Sequence, residues 1–501
     1  MQCLRGGPQW GLHPQSPHPG ANPGWMGSKG VGRPLHSRPC SAVKKGTTSK
    51  GISRATTSIK PKTKSITRKT QQESDSSEVR RTPAPQEDEE DPSEQQPRLN
   101  QFYAFITGFP FPLGPTLTRK TCRYEVEKGT IWTFEQTQAL ELFNVFIPVR
   151  MTVIKLKSGG LWVHAPVAPT AECVRLVKEL DAPVEYIVLP TYAYEHKAFV
   201  GPFSREFPKA KVYVTPYQWS FPLNLPLQFF GIFPDGELIS DDLDTPWADE
   251  IEQKLFAPPP ISRASKSIRL TEMAFFHKRT KTLLVTDALL RVTEQVPEVV
   301  PKYALLELAR DGLLNRSIAG DRTPEEVKQI AKPQPAPDTI GSRIKGWKRM
   351  ALLVLYFGPS NLLEPEASFA AVANRLIVGP VVETLVFSKV PATTRRWVDS
   401  ICNNWDFNKV IPCHFDGPIP AKPADVKRAF TFVYEMTEDL DEESKPANNG
   451  LLSSLASLLT SLFKREEKLV RPVVFPDGDI KALRDLNQLL IKTGVVKANA
   501  D

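Results

Sequence analysis

Imidazoles are scarce in this chain, and their placement is its clearest sign of chemistry. Of its 7 histidines, His13, His18 and His36 lie near the start, which leaves His164, His196, His277 and His414. His164 follows the apolar run Leu161-Trp162-Val163, and His414 follows Val410-Ile411-Pro412-Cys413. His196 stands in the turn behind Tyr186-Ile187-Val188-Leu189-Pro190, and Asp287 comes directly after Leu283-Leu284-Val285-Thr286. Where strands alternate with helices, ligand sites gather outside the carboxyl ends of the strands. Two imidazoles and one carboxylate can hold a single zinc or iron ion with positions left open. His196, Asp287 and His414 are therefore the expected metal ligands, with His164 as a fourth candidate. Taken singly, each also suits an ordinary structural role: a packed strand-end residue, an exposed loop residue, a turn former, or a residue held before the Gly417-Pro418 turn. His277 is excluded. It ends the first strand of a hairpin whose second strand leads to Asp287, so the two lie at opposite ends of the ladder, roughly 15 Å apart at about 3.3 Å per residue.

Around His196, the run Thr191-Tyr192-Ala193-Tyr194-Glu195-His196-Lys197 offers further polar groups. Tyr192, Tyr194 and Lys197 are the catalytic candidates. The ammonium could steady an anionic group, and either phenol could donate a proton or wall a pocket. Lys197 also argues against a cation beside it. The repulsion is about 4 kcal/mol per unit charge at roughly 4 Å and an effective dielectric near 20, unless the side chain turns away or is neutral.

The elements that must position these groups are short strands alternating with helices. Arg150–Leu156 and Leu161–His164 flank Ser158-Gly159-Gly160 as a hairpin, and Met273–His277 pairs with Thr282–Thr286 in a second. Thr170 reads as the N-cap of a helix through Val174, Val177 and Leu180. Tyr186–Leu189, Val212–Thr215 and Lys409–Cys413 read as strands and Ala424–Glu435 as a helix. This alternation predicts α/β layers with helices outside a pair of sheets. The ordered domain is expected over 101–437, with 292–347, which carries a Pro-rich stretch, as an insertion. An acidic linker at 438–450 and a helical segment at 451–501 follow. In that segment Leu451–Phe463 carries an apolar stripe, which docks on the protein's own core or makes peripheral contact with a membrane.

Three blocks carry a resemblance: Gly129-Thr130-Ile131-Trp132-Thr133-Phe134-Glu135-Gln136, Arg150-Met151-Thr152-Val153-Ile154-Lys155-Leu156, and His164-Ala165-Pro166-Val167-Ala168-Pro169-Thr170. Glu272–His277, Leu283–Asp287 and Ile411–His414 extend it. The chain resembles a domain-of-unknown-function family of photosynthetic organisms and bacteria, itself similar in fold to the metallo-β-lactamase superfamily. The resemblance implies a four-layer αββα sandwich. It also sets Asp287 at the metal-bridging aspartate, His414 at the last metal histidine and His164 at the early strand-end aspartate. The superfamily's T-H-x-H-x-D-H loop falls on Thr191–Lys197, where Tyr192, Tyr194 and Lys197 replace three ligands and His196 takes the aspartate position. The histidine expected about twenty residues before the bridging aspartate is also missing, since that region reads Ser267-Ile268-Arg269-Leu270. Too few ligands remain for a two-zinc hydrolase site.

Charge narrows the partners. The formal net charge is +8, yet residues 1–72 hold thirteen Lys and Arg and no Asp or Glu. Without those thirteen, 51 basic residues face 56 acidic ones, a balance of −5. The body thus has no basic excess for phosphate-backbone binding, and nucleic acid is not an expected partner. The acid-free, Ser/Thr-rich leader reads as a disordered transit peptide, or alternatively as a basic tail that stays on the protein and meets acidic partners, with an acidic disordered linker at 73–100. A plastid address, stromal, is expected ahead of mitochondrial or cytosolic ones. The 6 cysteines form no C-x-x-C and imply no disulfide framework. Two functions are carried forward. One is a non-catalytic module whose cleft holds a small molecule or a protein partner. The alternative is a single-metal hydrolase or oxidoreductase using His196, Asp287 and His414 with one zinc or iron.

Overall fold

The hairpin signals and apolar runs become two sheets laid face to face. The computed structural model describes residues 119–140, 145–219, 224–241, 243–263, 268–310, 336–438 and 469–501. The leader, the acidic linker at 73–100, the stripe at Leu451–Phe463 and most of the second acidic linker lie outside the described residues. The first sheet runs in chain order: β1 (Cys122–Glu127), β2 (Ile131–Leu140), β3 (Val145–Lys155), β4 (Leu161–His164), β5 (Val184–Leu189), β6 (Lys211–Val214) and β7 (Gly236–Glu237). Strands β1 to β4 are antiparallel neighbours, whereas β4 to β7 are parallel. The second sheet is ordered β12 (Ile419–Pro420), β11 (Lys409–Ile411), β10 (Thr282–Leu284), β9 (Glu272–His277) and β8 (Ile251–Phe256), with β10 and β11 parallel.

Parallel strands need crossovers, and helices supply them. α1 (Ala171–Lys178) joins β4 to β5, and α2 (Tyr194–Glu206) joins β5 to β6. Thr170 caps α1 by accepting the Cys173 N–H at 3.1 Å. Both helices cover the outer face of the first sheet, where Val163, Ile187, Val212, Cys173, Val177 and Phe203 form one core. The inner faces of the two sheets meet over a second core that includes Trp162, Val188, Trp247, Phe275, Leu284 and Ile411. The other helices of the described residues, in chain order, are α3 (Lys302–Ala309), α4 (Ile340–Tyr356), α5 (Glu366–Val372), α6 (Pro380–Leu385), α7 (Pro391–Asn404), α8 (Pro423–Ala429), α9 (Thr431–Glu435) and α10 (Asp477–Lys492), of which α7 to α9 cover the outer face of the second sheet. Trp397, Val398, Val426 and Phe430 from α7 to α9 pack against Phe256, Phe276 and Leu283 of the second sheet. The layers are therefore α, β, β, α, as the sequence predicts.

Several local readings change. Ala424–Glu435 is two helices, because the chain leaves helical geometry at Phe430, whose buried ring packs on Phe387 and Trp397. The strand expected over Lys409–Cys413 stops at Ile411, Pro412 and Cys413 lead out of it to His414, and β12 follows. The described parts of 292–347 are built into a core: Val292, Ala304, Leu305, Leu308 and Trp347 pack with Phe146 and Val145 of β3. No helix of the described residues is long and apolar enough to cross a membrane.

Candidate metal centre

The parallel pairing of β10 with β11 sets the geometry. Leu284 stands opposite Ile411, so Asp287 and His414 leave the same sheet edge at the same distance beyond their strands. The first sheet brings its own carboxyl edge alongside. Met273 N–H donates to the Pro190 carbonyl at 2.7 Å, and Thr191 bridges Glu272. After that junction the chain starts α2 at Tyr194, so the polar run around His196 is half turn and half helix rather than all loop. Glu195 and His196 fall in the helix's first turn, where the unpaired N–H groups favour a negative charge.

Glu195, His196, Asp287 and His414 each offer a ligand atom, and these atoms lie within 4.8 Å of one another. His414 Nε2 is 3.0 Å from Asp287 Oδ1 and 3.3 Å from His196 Nε2. His414 Nδ1 is 3.0 Å from the Pro148 carbonyl. A carbonyl can only accept, so Nδ1 carries the hydrogen and Nε2 is turned to its neighbours. This is the arrangement that orients a metal-ligating histidine. Two imidazole nitrogens face to face need a proton or a cation between them, and a carboxylate beside them favours either. The donor set, two nitrogens with one or two carboxylates, fits a zinc ion or a non-haem iron.

Electrostatics follow from burial and from these neighbours. Burial pushes His196 down to about 4, with Asp287 opposing and His414 adding to the effect. Burial would also push His414 down, but the Asp287 hydrogen bond and charge outweigh it and hold the imidazole above its ordinary value. Asp287 is held low in return: burial opposes ionisation, and His414 then His196 overcome it. Burial and Asp287 raise Glu195. The cluster without a metal thus favours a His414 imidazolium paired with the Asp287 carboxylate.

His164 is not part of this group. It is fully buried at the end of β4, stacked on Trp162 and edge-on to Phe275. Its Nδ1 lies 3.8 Å from Cys413 Sγ. Burial, then His196, push it down to about 3, so it is a neutral imidazole. Lys197 does not point at the ligand atoms: its Nζ donates to the Trp219 carbonyl at 2.7 Å and lies 5.9 Å from the centre of the Phe230 ring. Burial lowers it to about 7, against the pull of Glu195. Tyr194 packs its ring edge-on to Phe230. The Tyr192 phenol is raised by burial and by Asp287, Glu195 and Glu272, which marks it as a neighbour of the acidic groups and a proton donor rather than a phenolate.

Three site residues were missed in the sequence. Glu195 sits inside the polar run, one residue before His196. Glu272 accepts the N–H groups of Thr286 at 2.6 Å, Asp287 at 3.3 Å and Ala288 at 3.4 Å, so one carboxylate shapes the turn that carries Asp287. Burial and Asp287 push Glu272 up to about 8, against those three donors. Arg150, buried in β3, donates Nη1 to the Pro412 carbonyl and Nη2 to that of Phe415, each at 2.6 Å, with Glu135 as its ion partner, also at 2.6 Å. Its own N–H donates to the Cys413 carbonyl at 2.7 Å. The turn holding His414 is therefore clamped to the first sheet. For Glu272 and Arg150 the signal available was a charged residue inside an otherwise apolar run; for Glu195 it was a carboxylate beside His196.

No curated protein matches the chain in sequence. Among solved structures, the metal-soaked Flv1 flavodiiron core from Synechocystis sp. PCC6803 is similar at a TM-score of 0.33 and 9% identity, covering 64% of this chain and 62% of its own. The chain thus spans less than two thirds of that core. TMB-1 is similar at a TM-score of 0.33 and 8% identity, over 63% of this chain and 98% of its own. A metallo-β-lactamase from Erythrobacter litoralis is similar at 0.25 and 10% identity, over 37% and 79%. The sequence profile of Domain of unknown function (DUF4336) matches residues 128–367 and 363–432, and the chain belongs to that family.

Proposed function

We propose that this protein is a single-metal enzyme, with His196, His414 and Asp287 as ligands and Glu195 as a fourth ligand or a general base. The observation that carries this reading is the convergence of four ligand atoms within 4.8 Å, drawn from both sheets, while Lys197 is bonded away from them. A divalent ion held there supplies Lewis acidity toward a substrate oxygen. The chain's own groups supply the rest. Pro148 fixes the ring of His414, Glu272 shapes the turn of Asp287, and Arg150 holds the His414 turn in place. Glu195, raised by burial and Asp287, is the carboxylate of the cluster suited to accept a proton. The charge argument for the non-catalytic reading is weakened by Lys197, whose Nζ donates to the Trp219 carbonyl, while Tyr192 remains a neighbour of the acidic groups.

Elemental analysis of protein purified from metal-supplemented culture tests the assignment. One equivalent of zinc or iron is expected, falling below a tenth in both His414→Ala and Asp287→Ala. Two equivalents would contradict a single-ion site, and metal retained in both variants would place it elsewhere. The plastid address is proposed as well. A fluorescent fusion of the leader is expected in the stroma, and a cytosolic or nuclear signal would overturn that.

A further inference from the structure

A cavity of about 150 Å³ opens against the ligand cluster. Glu195, Asp287 and His414 form its polar end. Thr286 adds a hydroxyl beside Asp287, and the rest of the lining is mainly apolar: Ile147 of β3, Leu289 and Leu290 behind Asp287, Val354 of α4, and Val381 with Val382 of α6. Phe357, half-exposed after the end of α4, stands at its edge. None of the described residues lining it is a lysine or an arginine.

These features decide the class of molecule that fits. An apolar cavity of this volume takes a group the size of benzene, about six carbons. A charged group in the apolar part would lose its hydration without gaining a partner. Near the polar end a second anion would meet Glu195 and Asp287 with only the metal to offset it. Phosphodiesters and substrates with a carboxylate tail fit poorly on both counts. Resting on the single-metal reading above, we propose that this cavity is the specificity pocket of the site. Its ligand is an uncharged aliphatic or aryl group of about six carbons, joined to an oxygen-bearing head that reaches the metal.

Calorimetric binding of hydroxamates to the zinc-loaded full chain tests this. Affinity is expected to rise roughly fourfold per methylene, since each buried CH₂ carries a near-constant gain, or about 250-fold over the four methylenes from acetohydroxamate to hexanohydroxamate. Octanohydroxamate should gain no more, and the monohydroxamate of adipic acid, with a carboxylate at the tail, should lose most of the gain. In Val354→Trp the hexano-to-aceto ratio should fall toward one; Val381→Phe serves the same purpose if the first variant misfolds. Metal bound with no dependence on chain length, or with tighter binding of the carboxylate tail, overturns the pocket and leaves the metal reading standing. Protein that takes up no metal at this site overturns both.

Discussion

His414 carries more of the site than any other side chain, because both of its ring nitrogens are committed. Nδ1 donates to Pro148, and Nε2 faces Asp287 and His196. His414→Ala is therefore expected to weaken zinc binding by at least a hundredfold in competition with a chromophoric chelator. Lys197→Met makes the contrast. The sequence sets an ammonium directly after His196, and repulsion of a cation is the natural reading. The structure turns that ammonium to the Trp219 carbonyl and the Phe230 ring instead. Zinc affinity in Lys197→Met should stay within about tenfold of the parent, the scale of an effect that acts through neighbours. A gain of a hundredfold would restore the repulsion argument. The lesson is physical: residue type gives the charge at a position, while the direction of a long side chain is set by what the fold offers it. Here that is a carbonyl some twenty residues further along the chain.

Strand ends were legible because each ligand follows a run of apolar residues that only a buried strand accommodates. The equal offsets of Asp287 from Leu284 and His414 from Ile411 follow from the parallel register of β10 and β11. What holds the two turns was not legible, since a carboxylate and a guanidinium in strands find their partners only in three dimensions. Arg150→Met tests that hidden half. It leaves Glu135 buried without its partner and removes the donors to Pro412 and Phe415. The expected cost is about 3–5 kcal/mol in urea unfolding, with metal affinity down tenfold to a hundredfold. Arg150→Lys should recover little, because one ammonium cannot span acceptors on three residues. Full affinity in either variant would free the His414 turn from this clamp. The far end of the β9–β10 hairpin makes a separate prediction. His277 is fully buried, hydrogen-bonded to Thr280 at 2.7 Å, and lowered to about 4, first by burial and then by Arg279 and Lys157. An unfolded imidazole titrates near 6.5, so between those values the unfolded chain binds more protons. Its neutral state favours folding above about pH 6.5, and that contribution is lost as pH falls toward 4. Relative to His277→Gln, the parent should lose about 2 kcal/mol between pH 7.5 and 4.5, allowing for solvent screening. A constant difference across that range would show that His277 charges freely in the fold.

The ligands also matter to the molecule as a whole, because they do not belong to one sheet. Glu195 and His196 follow β5 of the first sheet, whereas Asp287 and His414 follow β10 and β11 of the second. Between the sheets lies a core built on aromatic rings, with Trp162 edge-on to Trp247 and to Phe275 at ring separations of 6.0 and 5.0 Å. The core holds the sheets together without direction, and a bound ion would add a directional link at one edge. Anything that binds the folded chain alone raises its stability by mass action, by about 2.7 kcal/mol when the free ligand is a hundred times its dissociation constant. Zinc at that excess should raise the melting temperature by a few degrees, with both sheets melting together in one calorimetric transition. His414→Ala should lose the shift, since it removes one of the second sheet's two ligands. Trp162→Ala should melt far lower, for a cost of about 3–5 kcal/mol, yet keep the zinc increment, because the ring belongs to the core between the sheets and supplies no ligand atom. If zinc shifts His414→Ala as much as the parent, the stabilisation comes from carboxylates elsewhere on the surface, and the ion does not link the sheets.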